Sequence, residues 1–238
     1  LDGNYTIMLP IPAPHSRTLV MACATVIEEM LPRLPEGMQH QVFDFGLHVN
    51  PDKLRAALQE AIDAVGGQFE TIILGYGMCS QAILGIKATG CRLVVPRVDD
   101  CIAIFLGSRS AYTAQHQAEP GTYFLTKGWI EEGDTPFSDY ERSVQRYGKA
   151  RAERIYQIMM GNYRRLALIN TGQYELEKYR DYTRRTAEKF GLRFEEIAGS
   201  DALVKKMLFG PWDDEFVVIE QGESFTLRHF YHFEEGAA

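Results

Sequence analysis

The chain has 238 residues, 45% of them hydrophobic and 24% charged, with a net charge of −7 from 25 Lys and Arg against 32 Asp and Glu. That composition excludes the disordered and fibrous classes, and the length is enough to bury a large core without disulfide staples. The acidic balance argues against a nucleic-acid partner, whose binding surface usually carries a basic excess, and no apolar run approaches the ~18 residues of a membrane span.

The N-terminal stretch LDGNYTIMLPIPAPHSR lacks the charged-then-apolar layout of a signal peptide, so a cytoplasmic protein with reduced thiols is expected. From Arg17 the pattern becomes regular. Thr18 to Cys23 is a short apolar run that reads as a strand, and ATVIEEMLPRL reads as helix until Pro35. QVFDFGLH is a second strand. Asn50-Pro51 opens a helix with Leu54, Ala57, Leu58, Ala61, Ile62 and Val65 at helical spacing, stopped by Gly66-Gly67. TIILGYG and RLVVP are a third and a fourth strand, and DDCIAIFLGSRSAY is a helix.

The second half repeats this grammar. GTYFLT is a strand, followed by one long helix from Pro136 to Tyr163. RLALINTG and LRFEEIAG are strands around a helix that Gly191 stops, and ALVKKMLFG is a further helix. EFVVIEQG and SFTLRHFYHF read as a closing strand pair, whose aromatic residues offer a homo-oligomer contact across a dimer axis. Near-continuous apolar strands separated by helices predict an α/β fold of mostly parallel sheets with helices on both faces. The halves, 1–115 and 116–238, form either two Rossmann-like lobes joined near Tyr112–Gly121 or one continuous domain.

Ligands of open α/β sheets bind beyond the carboxyl ends of the strands. Cys23 ends the first strand, His48 follows the second, Cys79 the third and Cys101 the fourth. Thiolate and imidazole together suit zinc or another transition metal. No pair has the close CxxC spacing of a zinc motif, and cysteine is among the most often buried residues, so simple packing is the competing reading. Cys91 begins the fourth strand, at the opposite edge, and reads as packing.

Gly75-Tyr76-Gly77 lets the backbone turn tightly and approach a ligand, or serves only as a strand-to-helix turn; neither a dinucleotide fingerprint nor a P-loop is present. Arg97 suits a carboxylate or phosphate. Of Asp99 and Asp100, one is placed to cap the next helix and the other to orient a ligand. Gly107-Ser108-Arg109 is an anion-binding turn or a plain helix boundary. No G-x-S-x-G elbow is present. Glu28 and Glu29 are helical neighbours that diverge, one toward a cleft and one toward solvent.

ILGYGMC (Ile73 to Cys79), VVPRVDDCIAIFLGSRSAY (Val94 to Tyr112) and PGTYFLTKGWIE (Pro120 to Glu131), with ACATVIEE and LHVNPDKL, resemble the domain of unknown function 1638 family over roughly Arg17 to Gly222. Ala24-Thr25 stands after Cys23 where that pattern has a glycine. The resemblance implies a one-carbon setting beside corrinoid-dependent methyltransferase proteins.

Two functional expectations follow. In the first, Cys23, His48, Cys79 and Cys101 hold a metal that activates a thiol or a corrinoid-linked methyl group; Arg97 and Ser108 bind the anionic tail of a small-molecule substrate, Tyr76 closes over it, and Asp100 supports the site. In the second, the protein is a metal-carrying or corrinoid-handling partner of a methyltransferase and does no chemistry. The Asp-x-His-x-x-Gly run of cobalamin domains is absent, since His48 precedes Val49, Asn50 and Pro51.

Overall fold

The computed structural model describes residues 17–79, 81–132 and 135–231; the N-terminal stretch, His15 and His232 lie outside them. The strands are β1 (Thr18–Cys23), β2 (Gln39–Phe43), β3 (Thr71–Gly75), β4 (Arg92–Pro96), β5 (Thr122–Leu125), β6 (Arg165–Asn170), β7 (Arg193–Ala198) and β8 (Phe216–Ile219). A five-stranded sheet has the order β2-β1-β3-β4-β8, with β8 antiparallel and the others parallel, and a three-stranded sheet, β5-β6-β7, is all parallel. The expected α/β class, with mostly parallel sheets and helices around them, is what the chain forms.

Buried strands explain the parallel order. Val20, Met21 and Ala22 of β1, Ile72, Ile73 and Leu74 of β3, and Leu93, Val94 and Val95 of β4 are all fully buried, so both faces must be covered. Helices supply the cover. α1 (Ala24–Met30) follows β1 directly. α2 (Pro51–Val65) starts where the Asn50 side chain accepts from the Lys53 amide, and it buries Leu54, Leu58 and Ile62. In β6 the alternation is plain: Ala167 and Ile169 join the core of the first sheet, while Leu166 and Leu168 belong to a second cluster with Phe137, Tyr156 and Met160.

Four expected elements differ. The second strand, expected through His48, stops at Phe43, and a 3-10 turn, Phe45–Val49, follows. The helix after β4 is two: α3 (Ile102–Leu106) ends at Gly107, whose φ of 87° only glycine adopts easily, and α4 (Arg109–Ala118) starts afresh. Much of the expected linker from Tyr112 is therefore helical. The long helix from Pro136 is likewise broken at Gly148 into α6 (Pro136–Tyr147) and α7 (Lys149–Met160), after the short α5 (Lys127–Glu132). The closing strand pair is half right. β8 forms and pairs with β4, but Leu227–Phe230 is a short helix, α10, opened by a Thr226 capping box. The remaining helices, α8 (Leu176–Phe190) and α9 (Ala202–Phe209), fall where the apolar spacing puts them, and Gly191 ends α8 in a left-handed conformation.

The strand order reverses between β1 and β3. β1 leads outward to β2 on one side, and the chain then returns to β3 on the other. Such a switch point opens a crevice at the carboxyl ends of its two strands. The second sheet closes on this edge. The Thr171 hydroxyl, just past β6, donates to Glu29 of α1 at 2.9 Å, and the Ser200 amide, past β7, donates to the Phe105 carbonyl at 2.9 Å.

Candidate metal centre

Cys23 is the last residue of β1 and stands beside the switch point. Its sulfur lies 3.2 Å from the Thr25 hydroxyl. Tyr76 continues β3 by one residue, is only 1% exposed, and its hydroxyl has no hydrogen-bond partner among the described residues. Cys79 follows in a turn that holds it at φ 46°, a left-handed conformation that costs a non-glycine residue energy. Cys101 opens α3 and is buried.

Backbone contacts tie the two later cysteine loops together. The Met78 amide donates to the Val98 carbonyl at 2.8 Å, and the Cys79 amide to the Asp99 carbonyl at 3.0 Å. Gly77 makes this possible, because a Cβ there would lie 2.7 Å from the Asp100 nitrogen and Cα. Gly75 has a parallel reason: its Cβ would lie 2.7 Å from that of Ala22 on β1. Both glycines are thus explained by close packing of the chain on itself.

Burial, then the charges of Cys23 and Asp100, push the Cys79 thiol up to about 12. Burial, Cys23, Cys79 and Asp100 raise Cys101 well above the ordinary thiol range, and burial raises Cys23. Tyr76 is raised by burial and by the charges of all three cysteines. Without a cation these thiols stay protonated at neutral pH and are poor nucleophiles.

Cys23, Cys79 and Cys101 therefore share one neighbourhood with Tyr76 and Asp100. His48 is placed differently: it lies in a 3-10 turn, Phe45–Val49, with its ring 4.4 Å from Phe45 and 6.5 Å from Trp129. Cys91 is buried at the start of β4, the far end of the sheet.

Asp100 takes the capping role, accepting from the Ile102 amide at 2.9 Å, and burial raises its carboxyl. Asp99 accepts from the Tyr231 hydroxyl at 2.5 Å. Arg97 turns toward β8, donating to the Phe216 carbonyl at 3.3 Å, and lines a cleft of about 210 Å³ with Arg109, Asp214 and Glu215. Ser108 caps α4 by accepting from the Ala111 amide at 3.0 Å and borders a wider cleft lined also by Ser200, Lys205 and Lys206.

Sequence reasoning left open which of Glu28 and Glu29 faces the cleft, and it missed two groups at this edge. Glu29 is buried and reaches the second sheet; its place between Val26 and Met30 on the apolar face of α1 was the available signal. Thr126, just past β5, and the Trp129 indole carry buried polar atoms without partners among the described residues, and no local pattern marks them. Gly128 between them packs on Thr25, where a Cβ would meet the Thr25 methyl at 2.6 Å.

Among the described residues no group of three or more His, Cys, Asp or Glu side chains is arranged to hold a metal ion as it stands. Cys23, Cys79 and Cys101 follow β1, β3 and β4 at one edge of the sheet, beside the buried Tyr76 hydroxyl, which has no hydrogen-bond partner among the described residues. No helix among the described residues is long and apolar enough to cross a membrane.

Residues 42–208 match the family described as "Protein of unknown function (DUF1638)". His48, Tyr76, Cys79 and Cys101 fall inside the match, and Cys23 precedes it. No curated protein and no solved structure matches the chain.

Proposed function

We propose that this chain, which belongs to the DUF1638 family, holds a transition metal on Cys23, Cys79 and Cys101 and acts in methyl-transfer metabolism. The observation that carries the reading is the gathering of three thiols around Tyr76 at the switch point of a parallel sheet. The one-carbon setting is what the family resemblance implies.

A bound cation supplies the positive charge that turns buried thiols into stable thiolates and a Lewis-acid position for a sulfur- or oxygen-bearing substrate. The residues of the chain do the rest. The Met78 and Cys79 amide bonds fix the two loops before anything binds, so little order must be gained on loading. The Tyr76 hydroxyl is available to donate to an anion in the site. Asp100 is held by the Ile102 amide, so its negative charge stays close to Cys79 and Cys101 and favours a cation between them.

The burial of Cys23 and Cys101, at 2% and 4% exposure, favours the carrier role over direct catalysis. Of the three, Cys79 is the least buried as a residue, and we place the approach of a partner or substrate on that side. Metal analysis of protein purified under reducing conditions, repeated on Cys79→Ala, tests the reading. Metal near one equivalent or more in the parent and little in the variant is expected. Equal trace metal in both would end it.

A further inference from the structure

We propose that the cleft between the α3–α4 turn, α9 and the start of β8 binds a compact zwitterion of the amino-acid type. Arg109 takes its carboxylate and Asp214 its ammonium group. The site makes no use of the thiols, so it stands or falls separately from the metal.

The cleft lies just beyond the carboxyl end of β4, since Arg97 and Val98, the residues after that strand, line it. Open parallel sheets bind ligands on this edge. Its volume of about 210 Å³ restricts a ligand to a small molecule. Val98 and Leu203, both buried, supply its apolar part. The rest of the lining carries both signs of charge, from Arg97, Arg109, Asp214 and Glu215.

Two of these four charged groups have partners within the protein. Glu215 pairs with Lys206, and the Arg97 guanidinium donates to the Phe216 carbonyl at 3.3 Å. The other two are uncommitted. Among the described residues Arg109 pairs with no carboxylate, Asp214 has no ion pair or hydrogen bond, and the two do not pair with each other.

Each is held in place by its own surroundings. Arg109 opens α4 behind the Ser108 cap, and its guanidinium lies over the Tyr231 ring, 5.9 Å from the centroid. Tyr231 is anchored in turn by its hydroxyl, which donates to Asp99 at 2.5 Å. Asp214 stands in the turn before β8. There Lys206 clamps Glu215 and, at 2.7 Å, Asp213, and the Glu215 amide donates to the Asp213 carboxylate at 3.2 Å. The residues on both sides of Asp214 are tied down, and its own carboxylate is left to the cleft.

An anion alone would bind Arg109 against the charges of Asp214 and Glu215, and a cation alone would meet Arg97 and Arg109. A ligand carrying both charges finds a partner for each. The wider cleft of about 690 Å³ shares Leu203 and Glu215 with this one and is lined also by Leu106, so a side chain on the ligand has room to extend.

The test measures binding of free L-amino acids to the full chain, by thermal shift across the common ones and then by titration calorimetry. The N-acetyl and amide derivatives of the best binder serve as probes that lack the cation and the anion. Saturable binding by at least one amino acid is expected, weakened about tenfold or more in either derivative. Arg109→Gln and Asp214→Asn should each weaken it by a similar factor. Asp214 is exposed, so Asp214→Asn should melt with the parent and separates a lost contact from a lost fold. No saturable binding by any amino acid overturns the proposal. An N-acetyl derivative that binds as well as the amino acid overturns the role of Asp214. Binding unchanged in both variants overturns the assignment to this cleft.

Discussion

The amide of Cys79 donates a 3.0 Å hydrogen bond to the carbonyl of Asp99, so the loops after β3 and β4 remain paired beyond the last strand residue. Met78 and Val98 form the preceding rung at 2.8 Å. Two rungs in irregular backbone hold Cys79 and Cys101 in a fixed relation, which a functional constellation needs more than the sheet does.

That relation depends on Gly77. A methyl group there would lie 2.7–2.8 Å from the Asp100 nitrogen, Cα and carbonyl carbon, all backbone atoms that cannot rotate away. Gly77→Ala is expected to cost about 1–3 kcal/mol by overpacking, lowering Tm by a few degrees at this chain length. Metal content should fall with it, because the two loops separate. Chemical denaturation together with metal counting checks both, and unchanged stability would show that the loop accommodates a side chain.

Cys91 and Cys101 are equally buried, at 4% exposure, yet sit at opposite ends of β4. Packing alone predicts the same consequence for alanine at either place. The metal reading predicts a split: Cys91→Ala retains the parent's metal, and Cys101→Ala loses most of it with a similar small change in Tm. Elemental analysis of the two variants side by side is sufficient, and equal metal in both counts against Cys101 as a ligand.

Much of this arrangement was legible because parallel strands announce themselves. The apolar runs TLVMAC, TIILG and RLVVP became β1, β3 and β4, and their ends put Cys23, Cys79 and Cys101 at one edge. His48 was harder, because the edge strand β2 stops at Phe43 and a 3-10 turn then carries the ring toward Phe45 and Trp129. Gly107 and Gly148 broke helices that apolar spacing had joined, since spacing reports a buried face and not the φ of a glycine within it. The segment after Phe225 alternates like a strand but finds no strand partner among the described residues, and the Thr226 capping box turns it into α10. Contacts between the two sheets, such as Glu29 with Thr171, left almost no trace, because they join residues 142 positions apart.

Glu29 gives a pH dependence with a definite sign. Burial holds its carboxyl above the usual range, the Thr171 hydrogen bond opposes that, the Glu28 charge adds to it, and Lys127 and Arg33 oppose it. The folded protein therefore holds a proton at Glu29 more tightly than the unfolded chain. The stability this confers is full below the unfolded value and is lost as pH rises through the folded one. Glu29→Gln keeps an acceptor for Thr171 and removes the ionisation. The variant should match the parent near about pH 4 and exceed it at neutral pH, as read by thermal melts across that interval. A variant that tracks the parent at every pH would place the carboxyl's titration outside the folding equilibrium.

Tyr76 offers the sharpest separation between a packed residue and one waiting for a ligand. A buried hydroxyl without a partner costs the fold about 1–3 kcal/mol of lost solvation, and phenylalanine fills the same space without that cost. Tyr76→Phe is therefore expected to melt several degrees above the parent in the metal-free state. Loading reverses the comparison. If the hydroxyl donates to an acceptor brought by the metal centre, the parent gains a hydrogen bond that the variant cannot make, and the two melting curves converge or cross. Melts of both proteins, chelated and reconstituted, supply the four values needed. An advantage for phenylalanine that is equal in both states would mean that nothing bound at the thiols reaches Tyr76, and the hydroxyl would then be a packing defect beside the site, not part of it.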